Sequence, residues 1–149
     1  MKKSILTALT LLVFCVQAFA GGGLDGFLNS LNIQAQADQN GFSGRLSAQF
    51  GVPQARVQVI LGSVQQPADA FMCLQLGQMT QKPAGTVLKV YQSHKGKGWG
   101  VIAKELGIKP GSSEFHALKR GDFQLSGDTP VEHGKGKGKG KGHGRGHGA

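Results

Sequence analysis

Acidic residues are scarce. Against 17 lysines and arginines the chain sets 8 aspartates and glutamates, for a formal net charge of +9. The acids are Asp25, Asp38, Asp69, Glu105, Glu114, Asp122, Asp128 and Glu132. They are scattered, and no spacing forces two of them together, so the sequence announces no carboxylate pair for acid–base chemistry. Cysteine is scarcer: Cys15 and Cys73 are the two, and Cys15 lies in an N-terminal apolar run. A single remaining thiol cannot close an internal disulfide, which excludes a disulfide-stapled scaffold. No HExxH, GxSxG or GxxxxGK[ST] occurs, so the chain lacks the recognisable signatures of zinc proteases, serine hydrolases and P-loop NTPases. Beyond the first twenty residues no apolar run is long enough to cross a bilayer. There is also no run of alternating β-branched residues bounded by turns. The best strand candidate, 58–61, fits a helix face equally well.

What is present begins with a leader. Residues 1–20 read MKKSILTALTLLVFCVQAFA. Lys2 and Lys3 form a basic start, 5–16 is an apolar core, and Ala18 and Ala20 put small residues at the −3 and −1 positions of a peptidase site before Gly21. This is the pattern of a cleavable bacterial signal peptide, and it places the remaining chain in the periplasm or outside the cell.

The body, 21–132, is expected to be an all-α, small orthogonal bundle of five or six short helices. Leu24, Phe27, Leu28 and Leu31 recur at helical spacing, and 34–41 is polar enough to be a loop or a helix extension. Phe42, Leu46 and Phe50 follow in steps of four, and Pro53 suits the start of a helix carrying Val57, Ile60, Leu61 and Val64. The stretch 67–81 bears Phe71, Met72, Leu74, Leu76 and Met79 on more than one face, as the most buried helix would. Within it, Cys73 reads as a small buried hydrophobe, and Gly77 as a point of close helix contact. Pro83 opens a further helix. A short helix at 99–106 and a last turn at 113–119, N-capped by Ser112, complete the body.

Two stretches resemble helix–turn–helix units. In 43–62, Gly51 makes the turn and Leu46, Phe50, Val52, Val57 and Ile60 take the buried positions; 99–118 is a partial match with a longer link. A DNA-reading role is disfavoured, because the would-be reading helix, 54–61, offers only Arg56 as a strong contact. Two helical corners in a small bundle explain the pattern.

The segment GKGWGVIAKELGIKPGSSEFHALKRG, 96–121, resembles one found in small uncharacterised exported bacterial helical proteins, with a GWGxIAKxLGxKPGSxEFH-like pattern. The resemblance implies a helical domain and nothing sharper. Chemically, a glycine-flanked Trp99 with His94, Lys95, Lys97 and His116 nearby in sequence is a candidate ligand corner, able to stack on a ring or cradle an anion. The alternative is that Trp99 anchors the corner in the core while the lysines form a solvated rim.

The charge is concentrated at the end. Residues 133–149 hold Lys135, Lys137, Lys139, Lys141 and Arg145 and no acid, whereas 21–132 holds ten bases and eight acids. This Gly/Lys/His tail has no apolar residue but Ala149 and is expected to be disordered. It suits sequence-independent polyanion binding, with lipopolysaccharide, an acidic polysaccharide or extracellular DNA as partners. His143 and His147 add a candidate for weak Cu, Ni or Zn binding, and no other cofactor is expected. Three functions stay open at this point: a non-enzymatic polyanion-binding module, a periplasmic metal-binding protein, and a small enzyme with its site near Trp99.

Overall fold

A computed structural model of the chain describes residues 22–127. The described part is all-α. Seven helices follow in order: α1 (Leu24–Ala37), α2 (Gln39–Phe50), α3 (Gln54–Ser63), α4 (Pro67–Thr80), α5 (Ala84–Ser93), α6 (Trp99–Glu105) and α7 (Ser113–Arg120). That is slightly more than the five or six expected; the last turn expected at 113–119 is a helix of 8 residues in its own right. None is long and apolar enough to cross a membrane.

The polar stretch at 34–41 is helical on both sides of one break. Asp38 leaves helical geometry at φ −151°, and its carboxylate accepts the Gly41 N–H at 2.8 Å. An aspartate at this position satisfies a donor that the first turn leaves unpaired, so one residue both ends α1 and starts α2.

α4 is the axis of the bundle and packs against α1, α2, α3 and α5. It buries Phe71, Met72, Cys73, Leu74 and Leu76, so apolar side chains point all round, as its sequence predicted. Its N-terminus is tied from both sides. Gln66 and Asp69 form a reciprocal capping box, and Asn32 of α1 accepts the Ala68 N–H at 2.9 Å. Around Phe71, the rings of Phe27 and Phe50 stand edge-on at centroid distances of 5.2 and 5.5 Å, a favoured geometry for aromatic pairs.

α2–α3 and α4–α5 are the same corner built twice. α3 spans 54–63 and α5 spans 84–93, a shift of thirty residues. In each corner a residue in the left-handed region ends the first helix, Gly51 at φ 63° and Gln81 at φ 54°. The next N–H closes back on a carbonyl five residues earlier, Val52 on Ser47 at 3.3 Å and Lys82 on Gly77 at 2.9 Å. A proline then takes the N-cap, Pro53 or Pro83, with nearly equal dihedrals. Leu46 matches Leu76 and Val57 matches Val87, all four fully buried. The α4–α5 corner is therefore the full repeat of 43–62; the partial match at 99–118 shares the turn, with Gly107 at φ 100° and the Ile108 N–H on the Ala103 carbonyl at 2.9 Å, but reaches α7 by a longer link capped by Ser112.

Gly77 is where α4 meets its own outgoing turn. A Cβ there would lie 2.9 Å from the Lys82 carbonyl oxygen, so the close approach expected at this glycine is made by backbone.

The core runs past α7. Leu125 is buried, and Phe123 packs 6.2 Å from Phe71. The Gln49 side chain clamps this segment to α2: its amide N–H donates to the Gln124 carbonyl at 2.9 Å and its carbonyl accepts the Ser126 N–H at 2.7 Å.

Candidate functional site at the glycine corner

α5 ends at Ser93, and His94 caps it. The His94 N–H is shared between the Val90 and Tyr91 carbonyls at 3.1 Å each, and its ring Nδ1 donates to Val90 O at 3.0 Å. The chain then turns through Gly96 and Gly98, at φ 79° and 84°. Side-chain-bearing residues rarely adopt such angles, so these glycines set the bend. The Gly98 carbonyl accepts from Val101 and Ile102, which starts α6 at Trp99.

Trp99 lies half-buried at the edge of the core. Its ring stacks on Tyr91 at 5.4 Å between centroids and 18° between planes. Tyr91 is itself buried, and its hydroxyl donates to Asp69 Oδ2 at 2.8 Å while accepting the Gln65 N–H at 3.2 Å. The same Asp69 oxygen accepts the Gln66 N–H at 3.1 Å. The corner thus hangs on a polar strut that runs from the α3–α4 turn through Asp69 and Tyr91 to the indole.

The two weak acids beside Asp69, Tyr91 and Cys73, are held in their protonated forms well above their ordinary ranges. Burial pushes the Tyr91 hydroxyl up to about 12, and the adjacent Asp69 carboxylate adds to the rise. Burial also pushes the Cys73 thiol up to about 12, again with Asp69, one turn earlier on α4, opposing a second negative charge. A thiol held so far above its ordinary range is a packing group at neutral pH, in keeping with the reading of Cys73 as a buried hydrophobe.

The other corner residues are not drawn into this arrangement. Lys95 and Lys97 are exposed, and His116 is exposed on α7. α7 meets α6 elsewhere: a Cβ on Gly100 would lie 3.8 Å from the Phe115 ring. Among the described residues no group of three or more His, Cys, Asp or Glu is placed to hold a metal ion. Clefts of about 540, 390, 370 and 350 Å³ are lined by other residues than Trp99. Of the two readings of Trp99, packing at the rim of the core has the contacts. Residues 1–21 and 128–149, with Lys135, Lys137, Lys139, Lys141, Arg145, His143 and His147, lie outside the described residues.

Two features had no part in the sequence reading. The Asp69–Tyr91 bond links residues 22 apart in number, and no periodicity signals such a pair. The 540 Å³ cleft between α3 and α5 is lined by residues of both corners, and the matched prolines and valines at 53/83 and 57/87 were the signal that could have paired them. No protein-family model, curated protein or solved structure matches this chain.

Proposed function

We propose that this chain is an exported, non-enzymatic helical module that holds polyanions through the five cations of 133–149. The observation that carries the proposal is the separation of charge: the tail has five bases and no acid, while 21–132 has ten bases against eight acids. Alternating Gly-Lys units give closely spaced cations with little steric cover, a pattern that binds phosphate- or carboxylate-rich chains by counterion release and without sequence preference. The body supports the reading as a self-sufficient carrier with its own core.

The test compares the mature chain, 21–149, with one ending at residue 133 on immobilised heparin. Retention is expected to fall to near that of a neutral protein on truncation, while the helical circular dichroism stays the same. Equal retention of the two forms would place binding in the body and overturn the proposal.

A further inference from the structure

A cleft of about 540 Å³ lies away from the glycine corner. It runs as an open groove between the first turns of α3 and α5, the equivalent helices of the two corners. Ala55, Val59 and Ile60 line it from α3, Gly85 and Leu88 from α5, and Arg56 is its one charged lining residue. A mostly apolar cleft of this size with a single polar anchor is the usual form of a small-ligand site.

Three observations say what would fill it. Val59 is 67 % exposed, and at the matching position α5 carries Lys89. An apolar side chain therefore stands in solvent where its twin carries a charge. Next, a Cβ built on Gly85 meets nothing within 4 Å, so the groove floor is free at backbone level and admits a slender occupant. Last, neither helix has an acid: α3 carries only Arg56 and α5 only Lys89 as charged residues. That charge is complementary to an anion. It opposes a second copy of this chain, because twofold pairing of the face would bring together only cations, Arg56 and Lys89, with no acid of either helix to offset them.

We propose that the α3/α5 groove binds one unbranched alkyl chain with an anionic head, the chain lying along Val59, Ile60, Gly85 and Leu88 and the head paired with Arg56. Small residues at 55 and 85 let methylenes approach the backbone, and Arg56 fixes which end faces outward. The inference stands on the groove alone and does not rest on the tail.

The test is calorimetric titration of the mature chain with octanoate, decanoate and dodecanoate below their micelle-forming concentrations, in enough salt to screen the tail. Each added methylene is expected to tighten binding about fourfold. Gly85→Leu fills the floor and should weaken dodecanoate about tenfold or more with no loss of Tm, since leucine is the better helix former. Val59→Glu, at an exposed position, should weaken it comparably. Arg56→Gln should cost up to about fivefold for dodecanoate and nothing for dodecanol. Deleting 134–149 should change none of this. Affinity independent of chain length, wild-type binding by Gly85→Leu, binding lost with the tail, or binding seen only to micelles or vesicles would each overturn the proposal.

Discussion

Tyr91 concentrates the polar chemistry of the interior. Its hydroxyl joins Asp69 and the Gln65 backbone, and its ring carries Trp99. Tyr91→Phe keeps the stacking surface and removes the hydroxyl, so it should cost about 1 kcal/mol, the net worth of an ordinary internal hydrogen bond. The pH dependence is sharper. Unfolded tyrosine and cysteine ionise near 10 and 9, whereas folded Tyr91 and Cys73 hold their protons to about 12. Between those values the folded state binds more protons than the unfolded one, so stability present below pH 9 declines as pH rises toward 12. Denaturant melts across pH 8–11 should show this fall in the wild type. Tyr91→Phe should show a shallower fall, with the Cys73 share remaining. A wild-type curve flat across the window would remove the buried-acid account of the strut.

At the scale of elements, the duplicated corner sets a comparison the protein makes with itself. Gly51 and Gln81 occupy the same left-handed position, and Gln81 is the one non-glycine residue with positive φ among the described residues. A Cβ in this region costs energy that glycine avoids. Gln81→Gly is therefore expected to stabilise by about 0.5–1 kcal/mol, net of the entropy glycine adds to the unfolded chain, and to raise Tm by about 2–6 °C. Gly51→Gln should move Tm the other way. An unchanged or lowered Tm in Gln81→Gly would mean that the two turns are not equivalent.

The same corner shows what the sequence made legible. Helix identity followed from apolar steps of three and four and from prolines at helix starts, and those signals are local. The second copy was hidden because Gln81 stands where Gly51 made the first turn recognisable. The α1–α2 break was hidden because a single aspartate does the capping inside a polar stretch. Phe123 and Leu125 escaped because two apolar residues in a segment without regular structure have no helical period; only the fold brings Phe123 to Phe71 and buries Leu125. The candidate corner was legible as a bend, through Gly96 and Gly98, and not as a strut, because Asp69 and Tyr91 meet only across two helices.

The whole molecule divides, by charge, into a nearly balanced helical body and a cationic end. That division has a quantitative consequence. Polyanion binding that releases counterions weakens with salt in proportion to the number of charges neutralised. If the five tail cations carry the contact, the logarithm of the affinity for duplex DNA should fall against the logarithm of salt concentration with a slope of about −4.5. The most direct measurement is that slope, taken by fluorescence anisotropy for the mature chain and for the chain ending at residue 133. A steep slope that collapses toward zero on truncation is the predicted result. The same steep slope in both chains would contradict the account and move polyanion binding into the body.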